Sequence, residues 1–550
     1  MLVAVAVALA AAACGDGDDP AAPADGPVVD AEVRTVAFAE RACSGGFVAH
    51  DLDHVTAPRG EVEAMVDGTG AGVLADDLDG DGDIDLVLPD LVGATNVWWN
   101  DGAGELTPEL VAEGRFRQAV AADVDADGTR DLVLTTGIGP PQVYLRAADG
   151  TGWTRTELRD LRLVTFSIAP GDLEGDGDLD LAVGSYNAEL TAARDPRAIS
   201  GIDVGSAVYR STGGLSFDEE LLSPSAQALV TLLVDLDGDG ADDVVAGNDL
   251  GTPDRIWLGG PRGLTFTELF DTTTLSTMSI DVADIDNDGD RDVIATDMAP
   301  MEGAPLDAWA DVFADIEAAR VDDIQQPENA LQLAGDDGYT QVARARGIDA
   351  TGWSWSGVTG DLDEDGRLDL YVVNGMQGTA IFDTLPDGEL VEANQVFRNA
   401  GDGFEPRPDW GLGDDAGGRG MAQADLDGDG DLDVVINNLG SPSRWYENQL
   451  CGGTAVVVEP LWPAAQNLDA LGATVVVDDG DVVRERIITG ARGYLSTSQT
   501  RAHVGLGDGG PVDVTVRWPD GATTQLDDVD PGELLVVERT EAAVTTEEAP

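Results

Sequence analysis

The sequence predicts an all-β protein: a seven-bladed β-propeller followed by a small C-terminal β-rich domain. Three observations carry that prediction. A nine-residue acidic segment of the form D-x-D-x-D-G-x-x-D recurs seven times along the 550 residues. Each copy runs directly into a short apolar stretch such as "DLVL" or "DVVI", which reads as a buried strand. The chain also holds 69 glycines but only 5% aromatic residues, a composition suited to many short strands and tight turns.

The acidic segments come first, because everything else is spaced around them. Their starts lie 46, 49, 63, 49, 77 and 64 residues apart, so the unit is long and carries insertions. Positions one, three, five, seven and nine of the first are Asp77, Asp79, Asp81, Asp83 and Asp85. In the second they are Asp123, Asp125, Asp127, Thr129 and Asp131; in the third, Asp172, Glu174, Asp176, Asp178 and Asp180. The fourth has Asp235, Asp237, Asp239, Ala241 and Asp243; the fifth, Asp284, Asp286, Asp288, Asp290 and Asp292. The sixth has Asp361, Asp363, Asp365, Arg367 and Asp369, and the seventh Asp425, Asp427, Asp429, Asp431 and Asp433. Only the third departs from the acidic template, with Glu174 at position three.

Carboxylates this close repel one another unless a cation neutralises them. A hard cation such as calcium takes six to eight oxygens, which side chains at positions one, three, five and nine and the carbonyl of position seven can supply. Glycine at position six permits the sharp turn. These residues are therefore the candidate metal ligands, for up to seven Ca²⁺. Magnesium keeps more of its waters, and zinc recruits histidine or cysteine, of which the chain has three each. An Asp/Gly-rich turn carrying solvated charge would explain one copy, but not seven with the same glycine. An EF-hand is excluded, since position twelve is apolar every time (Leu88, Leu134, Val183, Ala246, Ala295, Val372, Ile436) and a strand follows.

Third strands come next, at "NVWWN" (96–100), "QVYLR" (142–146), "RIWLG" (255–259) and "QVFRN" (395–399). Fourth strands follow at "ELTPELV" (105–111), "LSFDEELL" (215–222) and "LTFTELF" (264–270). Four antiparallel strands per unit describe propeller blades. The seventh unit stops after "SRWYEN" (443–448), which leaves an unpaired edge. "GGFVAHDLDHVTAP" (45–58) resembles the fourth strands and is predicted to fill that place. Cys43 would then lie beside Cys451. With Cys14 spent on lipidation these two remain, and a Cys43–Cys451 disulfide is predicted to close the ring. Insertions at 184–206, 296–328 and 375–394 fall between second and third strands, on the face opposite the acidic loops. The second contains "PLDAWADVFADIEAARV", which has helical spacing.

The ends read differently. Residues 2–13 are apolar but too short to span a bilayer and suit a secretory signal. "LAAAAC" resembles a bacterial lipoprotein processing box with Cys14 as the lipidated residue, which implies export to the cell surface or outer membrane, or secretion. Residues 15–43 read as a disordered tether and 539–550 as a disordered tail. The net charge of −75, with all thirty basic residues arginine, argues against nucleic acid or an anionic membrane surface as partner. A membrane would be met only through the lipid. A GC-rich genome and adaptation to high salt both explain the missing lysine.

Chemistry of the catalytic kind finds no foothold. His50, His54 and His503 are the only histidines, and no nucleophile–base pair or phosphate-binding loop accompanies them. Paired carboxylates are too common to nominate any pair for acid–base work. A non-catalytic binding or adhesion module with an extracellular protein or glycan ligand is expected. A polysaccharide-acting propeller enzyme or lectin is the alternative.

The units resemble the FG-GAP repeats of integrin α-subunit propellers and their bacterial relatives, which implies calcium in the loop between strands one and two. "GNDLGTPDRIWL", "TGWSWSGVTGDLDEDGRLDLYVVNG" and "RGMAQADLDGDGDLDVVINN" are similar to the cartilage acidic protein family, which ends in an ASPIC/UnbV domain. Residues 471–521, with Gly490, Gly493, Tyr494, Ser496, Ser498 and Trp518-Pro-Asp-Gly, match that domain's motif. These residues and His503 are expected to be structural. The resulting organisation is a signal at 1–14, the tether, a propeller at 44–449, the β-domain at 450–538 and the tail.

Overall fold

The computed structural model describes residues 26–58, 67–158, 160–186, 204–301, 303–307, 309, 310, 312, 314, 320, 323–335, 337–377 and 384–543. Within them the chain forms seven successive antiparallel sheets, each built on four strands, before the C-terminal domain. The innermost strands are Leu74–Asp76, Ala119–Ala122, Ser167–Gly171, Ala228–Val234, Ser279–Ala283, Gly352–Gly360 and Gly418–Ala424. Each packs on the next in order, and Gly418–Ala424 returns to Leu74–Asp76, so the sheets are the blades of a closed propeller.

Burial explains the apolar runs. Second strands begin at the ninth-position aspartate of every loop: Asp85–Leu88, Asp131–Leu134, Asp180–Gly184, Asp243–Asn248, Asp292–Thr296, Asp369–Asn374 and Asp433–Asn438. First and second strands are covered on both faces by neighbouring blades, so the alternation of a one-sided sheet disappears. Toward the rim it returns. Third strands such as Ala94–Trp99 are half-buried, and fourth strands such as Thr107–Glu113 are mostly exposed.

The ring closes as expected. Phe47–Val55 pairs antiparallel with Pro442–Asn448, from Phe47 opposite Asn448 to Val55 opposite Pro442. Cys43 and Cys451 are disulfide-bonded with their Cα atoms 5.7 Å apart. The insertions lie between second and third strands. In the second, residues 306, 307, 309, 310, 312 and 314 are helical, and Trp309 is buried against Trp353 with ring centroids 5.4 Å apart.

The C-terminal domain consists of two four-stranded sheets. One holds Thr454–Leu461, Ala502–Gly507 and Glu533–Glu538; the other holds Thr474–Asp478, Val483–Ile487, Val512–Arg517 and Thr523–Val529. The fourth strand of the first sheet corrects the sequence reading. Glu32–Ala37, placed in a disordered tether over 15–43, pairs along its whole length with Glu533–Glu538. Its side chains are exposed, so no hydrophobic pattern announced it; it is held by covering a bare strand edge. The tail also begins later than 539. Arg539 is fully buried, forks onto Asp520 at 2.8 Å twice, and lies over the rings of Trp462 and Trp518. The signal segment, Cys14 and residues 544–550 lie outside the described residues.

Candidate metal centres beneath a capping domain

Each acidic loop is braced at its two ends. The first-position aspartate accepts backbone N–H groups from within the loop: Asp77 from Gly80 and Gly82 at 2.8 and 3.0 Å, Asp425 from Asp429 and Gly430 at 3.1 and 3.0 Å. The ninth-position aspartate does more than the sequence implied. In all seven loops one oxygen accepts the N–H of position two, and the other accepts an N–H at the end of strand three. Asp85 takes Leu78 at 3.2 Å and Asn100 at 2.9 Å; Asp433 takes Leu426 at 2.9 Å and Asn448 at 2.7 Å. Asp131, Asp180, Asp243, Asp292 and Asp369 repeat the arrangement. A carboxylate oxygen with one such bond keeps a lone pair for a cation.

Backbone shape explains the invariant glycine. Position six has φ between +86° and +103° in every loop, beyond what a side chain tolerates. Position four is also left-handed, which the template missed. Its φ of 56–75° lies in the ordinary left-handed well, so Ala126, Asn287 and Glu364 replace glycine there in three loops.

Carboxylate oxygens converge where a cation would sit. Ligand atoms lie within 4.8 Å of one another in the groups Asp77–Asp79–Asp85, Asp123–Asp125–Asp127, Asp235–Asp237–Asp239, Asp284–Asp286–Asp292 and Asp361–Asp363–Asp365. Oxygens buried without any hydrogen-bond partner occur in these groups at Asp125 Oδ1, Asp284 Oδ2, Asp361 Oδ1 and Asp363 Oδ1, and in the seventh loop at Asp427 Oδ1 and Asp431 Oδ1. Orphaned acceptors of this kind are rare in native interiors, and a calcium-sized cation would satisfy them. The donor set is oxygen-only and fits calcium.

Without a cation the carboxyl groups are strained. Burial, reinforced by neighbouring carboxylates, pushes Asp85 up to about 8 and Asp292 and Asp361 up to about 7. Asp431, the most crowded, is pushed up to about 11 by burial and then by Asp433 and Asp429. Two loops depart from the pattern. Glu174 is turned onto Arg210 rather than into its loop. In the sixth, Arg398 pairs with Asp363 at 2.6 Å and with Asp365, so a guanidinium already shares that cluster. At position seven Ala241 and Arg367 have only their carbonyls to offer, and Thr129 donates its hydroxyl to Asp127 Oδ1 at 2.6 Å.

The C-terminal domain covers this acidic face. Gly82 O accepts Arg501 Nη2 at 2.8 Å, Gly177 O accepts Asn467 N at 3.0 Å, and Asp361 Oδ2 accepts Gly505 N at 3.0 Å. Arg130 is buried against Asp469, and Arg291 pairs with Glu485 at 2.5 Å. The N-terminal segment joins in, with Arg41 forked onto Glu364 at 2.5 and 2.6 Å and donating to Asp429 O at 3.0 Å.

From that cap one loop enters the propeller axis. Thr497 N donates to Val73 O at 2.9 Å and Ala75 N to Thr497 O at 3.0 Å, adding an extended segment to the inner edge of blade one. Ser496 Oγ accepts from Val73 N at 3.1 Å and Met421 N at 3.2 Å, bridging blades one and seven. Ser498 Oγ accepts Gln423 N at 3.1 Å, and Tyr494 O–H donates to Thr69 O at 2.8 Å. Gly490 lies against Pro170 of blade three, and Gly493 N donates to Ile280 O of blade five at 3.1 Å. Gly490, Gly493, Tyr494, Ser496 and Ser498 are structural, as expected, but they serve the propeller's axis rather than their own domain's core. Glycines and hydroxyls clustered between two apolar strand patterns were the available signal.

The histidines hold no common site. His50 stacks on Trp445 at 4.5 Å, His54 is buried beside Thr56, and His503 is buried on the cap's own strand Ala502–Gly507.

Comparison with known proteins agrees with this architecture. The FG-GAP-like repeat model matches residues 77–134, 123–183, 235–295 and 386–436, and the ASPIC and UnbV model matches 463–544. The chain is 29% identical to human cartilage acidic protein 1 over 183 residues, covering 30% of this chain and 24% of that protein. The match thus spans about a quarter of the curated relative. Among solved structures, a rhamnogalacturonan lyase of Bacillus licheniformis is 12% identical with a TM-score of 0.39, over 74% of this chain and 76% of that one. The Dos1 propeller is 10% identical with a TM-score of 0.35, over 66% and 75%. Likeness this loose carries no functional argument.

Proposed function

Since the chain carries FG-GAP-like repeats followed by an ASPIC and UnbV domain, we propose that it is an exported, calcium-stabilised, non-catalytic binding or adhesion module of the cell surface. Its calcium is held in the acidic loops, up to seven ions in all. The observation that carries the reading is the set of buried, partnerless carboxylate oxygens at the ligand positions Asp125, Asp284, Asp361, Asp363 and Asp427. Positions one, three, five and nine would supply carboxylates and position seven a carbonyl, and bound calcium would neutralise their mutual repulsion. The protein's own groups hold the loop in shape through the N–H bonds to the first and ninth aspartates.

The partner is an extracellular protein or a glycan, met on the face opposite the calcium. The cap domain occupies the loop face, while the sequence insertions 184–206, 296–328 and 375–394, parts of which lie outside the described residues, connect second to third strands, whose joined ends lie on the other. Elaborate loops on a rigid scaffold are where binding concentrates. A lipid on Cys14 would tether the module to a membrane.

A glycan array and a surface-protein pull-down, each with calcium and with chelator, test the reading. Specific capture that is lost in chelator, and lost on deleting 375–394 from a protein that melts normally, is the expected result. Unchanged capture by the deletion variant would place the partner elsewhere, and turnover of a captured polysaccharide would make the protein an enzyme.

A further inference from the structure

The acidic loops are not equally open to solvent. The fifth-position aspartate is exposed in loops one to five, at Asp81, Asp127, Asp176, Asp239 and Asp288. In loop six Asp365 is half-buried, and in loop seven Asp429 is buried. Position seven repeats the contrast, half-buried or exposed in the first six loops but only 2% exposed at Asp431. Loop seven also holds two buried oxygens without a partner, Asp427 Oδ1 and Asp431 Oδ1. Asp431 Oδ1 lies outside the ligand pattern, which takes the carbonyl at position seven. The charges acting on Asp431 are Asp433, Asp429 and Glu364 against a single cation, Arg41. So many buried anions are costly without more positive charge among them.

What shuts this loop is the N-terminal segment Phe38–Arg41. Ala39 N donates to Gly428 O at 2.7 Å, and Arg41 Nε donates to Asp429 O at 3.0 Å. The Phe38 ring lies on the next residue, Gly430, where an added Cβ would stand 2.4 Å from Phe38 Cδ2. Three successive loop residues are thus covered by one strap. Arg41 also forks onto Glu364, at position four of loop six, so the strap bridges two loops. It is fastened at both ends. Before it, Glu32–Ala37 pairs with Glu533–Glu538; after it, Cys43 is bonded to Cys451.

We propose that the seventh loop is an occluded calcium site, from which the ion exchanges only when the Phe38–Arg41 strap lifts. Resting on the calcium reading above, this separates one enclosed ion from those of the open loops. The ligand set is not what distinguishes them. Loop one reads "DLDGDGDID" and loop seven "DLDGDGDLD", differing only in Ile84 against Leu432. Yet Asp79, Gly80 and Asp81 of loop one are exposed, while Asp427 and Gly428 are half-buried and Asp429 is buried. Lifting the strap means parting its two hydrogen bonds to the loop and drawing the Phe38 ring off Gly430, a local opening that release must wait for.

The test uses the full, disulfide-bonded protein loaded with radiolabelled calcium. After transfer into excess unlabelled calcium, the label left on the chain is followed with time. All but one equivalent should leave in a fast phase, and the last at least about tenfold more slowly, because it waits on local opening. Phe38→Ala and Arg41→Ala each loosen the strap with every loop aspartate in place, and either should move the last equivalent toward the fast phase. Asp429→Asn should remove the slow phase, whereas Asp81→Asn should remove a fast equivalent and spare the slow one. Label that leaves in one fast phase, or a slow phase that Asp429→Asn does not touch, would overturn the inference and leave the calcium reading standing. A chain that takes up no label would overturn both.

Discussion

Arg492, near the tip of the cap's inserted loop, forks onto Asp281 on the inner strand of blade five, with Nε–Oδ1 at 2.5 Å and Nη2–Oδ2 at 2.8 Å. The same guanidinium donates to Thr359 O of blade six at 2.6 Å, so one side chain ties the cap to two blades. Asp281 is almost wholly buried and also accepts the N–H and O–H of Thr359 at 2.7 Å each. Arg492→Ala therefore leaves a buried carboxylate without its cation, at a cost of about 3 kcal/mol. The expected outcome is an earlier denaturation midpoint together with new proteolytic cleavage between the propeller and the cap.

Gly493 beside it is expected to be just as sensitive. Its φ is +64°, and an added Cβ would stand 2.6 Å from Val358 Cγ2 and 2.7 Å from Ser356 Oγ. Both neighbours are in the packed inner wall and cannot withdraw far. Gly493→Ala should destabilise by on the order of 2 kcal/mol, read from the same denaturation curves.

The clasp makes a separate prediction. Cys43 and Cys451 are 408 residues apart, so their bond removes a very large loop from the unfolded ensemble. By chain entropy it stabilises by up to about 5 kcal/mol, while the pairing of Phe47–Val55 with Pro442–Asn448 survives its loss. The double variant Cys43→Ser/Cys451→Ser should fold, melt at a markedly lower temperature, and no longer respond to reductant.

How much of this was legible is decided by particular residues. The loops and second strands could be read because the ninth aspartate and the three apolar residues after it recur together. The clasp could be read because an unpaired edge, a spare strand and two cysteines pointed to one place. Glu32–Ala37 could not, because a strand held by edge pairing alone, with every side chain exposed, has no periodic burial to display. The bracing role of the ninth aspartates was hidden for another reason. Their partners, such as Asn100 and Asn448, are backbone N–H groups fifteen residues away, and backbone groups leave no trace in a sequence. Tyr494 and Ser496 were recognisable as a motif, but their burial between blades depends on two domains meeting.

Protons and metal should oppose each other in the loops. Burial raises Asp85 to about 8 and Asp131, Asp243, Asp292 and Asp361 to about 7, all above the value near 4 of an unfolded chain. A group whose folded value is raised contributes stability below its unfolded value and loses it as pH climbs through the folded one. Metal-depleted protein should therefore lose stability steadily between about pH 4 and 8. Calcium binds only the ionised carboxylates, so with calcium present stability should rise over the same window. Melting temperatures at unit pH steps, with and without calcium, check the crossing.

The most direct test of the central claim is a calcium titration of metal-depleted protein, by calorimetry and thermal melting together. Ions that bind the folded chain alone stabilise it by mass action. The predicted result is several equivalents of calcium bound per chain and a large rise in melting temperature that magnesium does not match. A chain that binds no calcium, and melts at the same temperature with calcium or without it, would contradict the account.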